Sequence, residues 1–380
     1  MSKGSVLALL AGAILVGTAR GEVGVEPSAG EVLARYIEEG EIPGAVGLVS
    51  NDGEVEIAIV GMADVEQDRP MQDDTLFGVM SMTKPITATA LMILVDEGKV
   101  SLDDPVEKYV PAFAEAKTAS GDSVRGLTVR RLLTHTSGLT GDQGCRESLE
   151  ATANALAKRP FAFQPGERWE YGPSMNVVGR IIEVASGQAY EEFLAERIFN
   201  PLGMTETTFQ LSPEQRERNA TLYRKGEDGK SLVAAERWHG AGEPGCVPNP
   251  SGGLFSTAHD MHAFYQMILN GGEVDGTRIV SEDGVQQMTT LQTGNLATGF
   301  TPGNGWGLGW CIVREPQGVT GMLSPGSFGH GGAYGTQGWI DPKEKRIFVL
   351  LVQRADLGNS DGSELRREFQ QAAVDGLNAE

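Results

Sequence analysis

Apolar positions along the chain change their period twice. Between Gly30 and Glu39, Val32, Leu33, Tyr36 and Ile37 recur at three- and four-residue intervals, which predicts an amphipathic helix. The next stretch, Ile42 to Gly61, holds two apolar runs parted by Asn51-Asp52-Gly53, the signature of a β-hairpin. From about Ser81 to Thr290 the period becomes helical, in the segments 81–98, 146–159, 175–187, 189–199 and 257–272, with Gly- and Pro-rich loops between them. Strand patterns return at 306–313, 336–341 and 346–353, before a closing helix over Ser363 to Leu377. Strands at both ends with helices between imply that the terminal segments pair in one antiparallel sheet. The expected fold is α/β of the α+β type: a sheet subdomain from about 28–80 and 291–380, flanked by the first and last helices, and a mostly helical subdomain from about 81–290. Residues 20–380 then form a single domain, with a cleft between its two parts, a usual place for a small-molecule site.

Length and charge narrow the function. At 380 residues and 40% hydrophobic composition the chain can bury a large core. A net charge of -20, dispersed along the chain, repels phosphate backbones and argues against a nucleic-acid partner. Residues 1–19 place Lys3 before an apolar run, Val6 to Val16, and then Gly17, Thr18 and Ala19. This is the pattern of a secretory signal peptide, and it predicts export to the periplasm or medium. No later segment is long and apolar enough for an integral membrane span. Of three cysteines, Cys145 and Cys246 follow glycine in polar stretches and are candidates for a disulfide in an exported protein, while Cys311 sits in an apolar run. No ligand spacing suggests a metal, and His259 and His262 on one helix read as surface residues.

The candidate chemistry is at Ser81 and Lys84. Pro85 lacks the amide that would bond the Ser81 carbonyl, so a helix opens at or just after that serine. Its unpaired amides and positive dipole end favour developing negative charge there. Lys84 follows at i+3, on the same helix face, and burial would strip its proton and leave a base for the serine hydroxyl. Alone, the SxxK spacing is equally that of a capping serine followed by a surface lysine.

Three stretches, Phe77 to Lys84, Leu132 to Leu139 and Gly252 to Thr257, together resemble the serine β-lactamase and penicillin-binding-protein superfamily. The likeness runs from about Ile42 to Gln353 and is greatest to class C β-lactamases and family VIII carboxylesterases. It implies an acyl-enzyme hydrolase that needs no metal or cofactor. It assigns Ser81 as nucleophile, Lys84 and Tyr171 as a coupled proton-transfer pair, and the amides of Ser81 and Ala333 as oxyanion hole. His330, Gly331 and Gly332 would line the substrate, in place of the family's Lys-Thr-Gly strand. A phenol beside a lysine ammonium is expected to have its pKa lowered. His135 falls outside the proton-transfer set and reads as structural.

Two departures bear on the substrate. Where lactamases carry Tyr-x-Asn the chain has Tyr171-Gly172-Pro173, with Asn176 as a displaced candidate for the missing amide; and His330 replaces a permanent cation by an imidazole. Both favour a small carboxylic ester over a β-lactam or D-amino-acid peptide, and a non-catalytic scaffold on the same fold is the third alternative. No GxSxG occurs to offer a rival nucleophile, and the oligomeric state is not legible.

Overall fold

A computed structural model describes residues 27–379, apart from 142, 143, 145, 238–244, 246, 300 and 359. The export segment at 1–19, Cys145 and Cys246 lie outside the described residues. Helix α1 (Ala29–Glu38) opens on a capping box: Ser28 accepts the Glu31 amide and the Glu31 carboxylate takes the Ser28 amide. The hairpin follows as β1 (Gly44–Asn51) and β2 (Glu54–Asp64). Asn51 pairs with Glu54, so Asp52 and Gly53 alone make the turn, at φ 49° and 93°, the left-handed pair that matches strand twist.

Short strands β3 (Arg69–Pro70) and β4 (Phe77–Gly78) lead into α2 (Thr83–Asp96), α3 (Val129–Leu133), α4 (Leu149–Ala157), α5 (Ser174–Ser186) and α6 (Tyr190–Leu194). The last continues as a π-turn over Ala195–Phe199. Next come α7 (Pro213–Arg218), β5 (Tyr223–Lys225), β6 (Leu232–Ala234), β7 (Phe255–Ser256), α8 (Ala258–Leu269), β8 (Glu273–Val274), β9 (Thr277–Arg278) and α9 (Glu282–Thr289). The chain ends with β10 (Asn304–Trp306), β11 (Cys311–Val313), β12 (Phe328–Gly331), β13 (Gln337–Asp341), β14 (Arg346–Val352) and α10 (Glu364–Ala379).

The eight-stranded antiparallel sheet runs β10-β11-β12-β13-β14-β1-β2-β3. Its N- and C-terminal contributions meet where β1 pairs β14, Ala45 opposite Val352. This is the expected α/β architecture. One expected strand is instead a hairpin: the 306–313 run folds back, Trp306 opposite Cys311. Glycine makes that possible, since Gly309 adopts φ 79° and a Cβ on Gly307 would come within 2.1 Å of the Met288 carbonyl.

Helices α1 and α10 cover one face of the sheet over Leu33, Trp339, Phe348 and Phe369. On the other face α8 lies across β1, β13 and β14, and α2 runs beyond it through the largest core cluster, buried at every residue from Thr83 to Leu94. Trp310 joins these layers, stacked on Phe264 at 6.1 Å and edge-on to Phe328 at 5.2 Å. Among the described residues no helix is long and apolar enough to cross a membrane. Replacing Trp310 by Ala is expected to cost about 3–5 kcal/mol, the range for a fully buried aromatic. Urea titration of Trp310→Ala against wild type measures this; a loss below about 1 kcal/mol would place the residue outside the cooperative core.

Candidate active site

The turn before α2 is built to present Ser81. Met80 adopts φ 51°, a left-handed conformation that is strained for a side chain with a Cβ. A 3-10 turn over Met80–Met82 then runs straight into α2, with the Met82 amide bonded to Val79 O and the Thr83 amide to Met80 O. Ser81 therefore sits in this tight turn, two residues ahead of the helix proper. Strand β4, paired to β7 with Phe77 opposite Ser256, ties the approach to this turn to the Gly252–Thr257 segment.

Lys84 falls in the first turn of α2 and is wholly inside the protein. Its Nζ lies 3.0 Å from Ser81 Oγ and donates to the Ser251 carbonyl at 2.6 Å. Tyr171 OH donates to the same Ser81 Oγ at 2.8 Å, and its ring centroid stands 4.6 Å from the lysine nitrogen. The three side chains come from segments 90 residues apart and converge on one oxygen.

Burial decides their protonation. Desolvation holds Lys84 well below the ordinary lysine value, against the opposing pull of the Asp361 charge. Tyr171 departs from the sequence-based expectation: burial drives its pKa up, and the hydrogen bond to Ser81 offsets this only in part. The expected lowering rested on an ammonium beside the ring; enclosure of the phenol outweighs it, and the Asp361 charge adds to the rise. An uncharged amine offers Ser81 a lone pair and a neutral phenol offers it a proton, so the arrangement can deprotonate the hydroxyl and return the proton to a leaving group.

Aromatic rings wall the phenol. His135 packs on Tyr171 with centroids 4.5 Å apart, and Trp306 and His330 stand at 6.2 and 6.0 Å. His135, at φ 55°, accepts the Gly172 amide at Nδ1 and so aims the Tyr171 backbone. That agrees with a structural role, exercised directly against the candidate tyrosine. His330 Nδ1 meets the Gly331 carbonyl at 2.7 Å, an acceptor only, so that nitrogen carries the proton. Burial, with the neighbouring Lys84, lowers His330 to about 3, and it is neutral across the physiological range.

The glycine run after His330 closes the other side. A Cβ on Gly332 would come within 2.5 Å of Val79 O and 3.1 Å of Met80 Cβ, so only glycine lets this turn touch the serine turn. Thr336 Oγ1 donates to the same Val79 carbonyl at 3.1 Å. Ala333 follows, half-buried, and among the described residues its amide bonds no acceptor. Asn176 is buried on α5 and accepts the Ser251 hydroxyl at 2.8 Å; it supports the loop that receives Lys84. Sequence reasoning overlooked Ser251, Trp306 and Asp361. Ser251 adjoins the Gly252-Gly253 pair and was within reach of that signal; the other two are brought in by the sheet and carry no local mark. His259 is exposed, as expected, while His262 is half-buried. Among the described residues no cluster of His, Cys, Asp or Glu could hold a metal ion.

The family model described as "Beta-lactamase" matches residues 30–373. Protein Rv1367c of Mycobacterium tuberculosis is 33% identical over 353 residues, covering 83% of this chain and 87% of that protein. Esterase EstB of Burkholderia gladioli is 30% identical over 367 residues, covering 87% and 90%. Among solved structures, EstCE1, "a hydrolase with promiscuous acyltransferase activity", superposes with a TM-score of 0.81 at 23% identity, covering 91% of this chain and 97% of that one, and so shares the fold. With its match running through nearly the whole described chain, Ser81 to Gly332 included, the protein belongs to the β-lactamase family of serine hydrolases.

Proposed function

We propose that the protein hydrolyses small carboxylic esters through an acyl-enzyme on Ser81. The observation that carries this reading is the convergence of a buried amine and a phenol on one serine oxygen, at 3.0 and 2.8 Å. Lys84 takes the Ser81 proton as Oγ bonds to the ester carbonyl carbon. The Ser81 and Ala333 amides receive the oxyanion. On collapse the carbon–alkoxide bond breaks, and the alcohol leaves with the proton returned from Lys84 through the Tyr171 hydroxyl. A water, deprotonated by Lys84, then attacks the acyl-serine, releases the acid and restores Ser81.

The preference for an ester rests on His330. Where a lysine would offer a β-lactam or peptide carboxylate a permanent cation, the cleft offers a neutral ring with its Nδ1 proton engaged. Gly172 and Pro173 supply no side-chain amide for an acylamino group. Family membership supports the hydrolase reading as such, and β-lactam and D-peptide substrates are the alternatives to be assayed beside esters.

A short-chain nitrophenyl ester should turn over, and nitrocefin and a D-Ala-D-Ala peptide should turn over far more slowly if at all; the reverse order would overturn the ester assignment. Ser81→Ala should lose at least about 10³-fold in kcat and all labelling by a fluorophosphonate at that residue, read by intact mass. An unlabelled wild-type protein would favour a scaffold. Lys84→Met and Tyr171→Phe should each lower kcat by about 10²–10⁴-fold without unfolding the protein, checked by circular dichroism. Because the base form of Lys84 exists above its depressed pKa, kcat/KM should rise with pH and level off well below the ordinary lysine range near 10.5. A rise centred at the ordinary value would exclude Lys84 as the base.

A further inference from the structure

Behind the strand that carries His330 lies an acid with no part in the proposed proton transfers. Asp361 belongs to a single 3-10 turn, Ser360–Gly362, ahead of α10, and is 6% exposed. Its Oδ1 makes no hydrogen bond, yet it presses on Gly331 so closely that a Cβ there would come within 1.9 Å of it. The space a side chain would need at the centre of His330-Gly331-Gly332 is thus filled by this carboxylate, with the Gln337 amide beside it. Arg366, fully buried on α10, donates to the Asp361 backbone carbonyl at 2.6 Å and lies 3.7 Å over the Trp339 ring. A buried acid with an unpartnered oxygen calls for a cause, since a well-packed apolar residue would serve stability at least as well.

Its surroundings supply one. Burial raises the Asp361 carboxyl, while Arg366, Gln337 on β13, the Gly331 amide and Lys84 all favour the charged form. Lys84 in turn is faced by Ser81, Tyr171, His135 and His330 in the cleft and by the field of Asp361 from behind the strand. Burial drives both histidines and Cys311 of β11 toward their neutral forms, which leaves Asp361 and Arg366 as the groups whose charge can act there.

We propose that Asp361 is a positioning residue for the catalytic set: its carboxylate, packed against Gly331, braces the Gly331–Ala333 turn against Ser81 and stands behind Lys84. This rests on the reading of Ser81, Lys84 and Tyr171 given above. A carboxylate behind the lysine stabilises its ammonium, so removing the charge makes the proton easier to lose, and the free base persists to lower pH.

The test is the rate of Ser81 labelling by a fluorophosphonate as a function of pH, which needs no knowledge of the substrate. For Asp361→Asn, close in size and neutral, the acid limb should move to lower pH by up to about one unit, the lower end of what one nearby charge does. Its plateau rate should fall about tenfold as the turn loosens. A residue that served folding alone would change the melting temperature and leave the limb in place. A limb and plateau superimposable on wild type overturn the proposal. Asp361→Ser replaces the Asn variant if that one does not fold, and failure of both to fold makes Asp361 a structural residue and equally overturns it. Wild-type protein unlabelled at Ser81 would instead sink the catalytic reading, and this proposal with it.

Discussion

The site depends on one constraint: an amine placed in the first turn of a helix that has no solvent-facing side through its first three turns. Because α2 is buried from Thr83 to Leu94, Lys84 cannot extend its ammonium to water as a surface lysine would. The interior makes the charged form expensive, and the polar groups that meet it include a serine hydroxyl, a carbonyl and the face of a phenol. A central helix that is apolar on all sides is ordinarily a packing element. Here it also supplies the low-dielectric setting that lowers the lysine's pKa, so the packing of the core and the state of the amine beside Ser81 rest on the same burial.

Close backbone approach is the second requirement. The nucleophile turn, the Ser251 loop and the Gly331–Ala333 turn come from widely separated parts of the chain and meet with almost no side-chain volume between them. Gly332, where a Cβ would come within 2.5 Å of Val79 O, and Gly252, where one would come within 3.3 Å of the Met80 carbonyl carbon, mark two places where a side chain would crowd the serine turn. On the serine turn the strain falls at Met80, where a left-handed backbone is held by the 3-10 turn on one side and β4–β7 pairing on the other. Glycine on the facing segments, with one strained residue on the serine turn, allows a hydroxyl to be presented by packed elements.

Much of this was legible in the sequence because its signals are local. The Asn51-Asp52-Gly53 turn, the five helical segments of the middle region and the i, i+3 spacing of Ser81 and Lys84 need only a few consecutive residues to be read. The 306–313 run misled because its alternation suits a strand, while its reversal depends on how Gly307 meets Met288, 19 residues earlier. Tyr171 was identified by its motif, but its protonation was misjudged, since that depends on how deeply it is enclosed by His135, Trp306 and His330. Asp361 carried no mark at all. Its importance comes from a missing Cβ on another strand, a relation that exists only once the sheet and α10 are assembled.

Neutrality in this cleft is a collective property. Lys84, His135 and His330 are each driven toward the uncharged form first by burial, and the positive form of Lys84 would further lower both histidines. Only one of the three can then hold a proton at modest cost, and the Asp361 field favours Lys84, which gains from it directly. A permanent cation in place of His330 would add a fixed repulsion to this group and depress Lys84 further. The imidazole spares Lys84 that added repulsion and, under the proposed ester reading, also removes an anchor for substrate carboxylates. Under the proposed reading one position therefore bears on both the charge of the substrate and the surroundings of the buried amine.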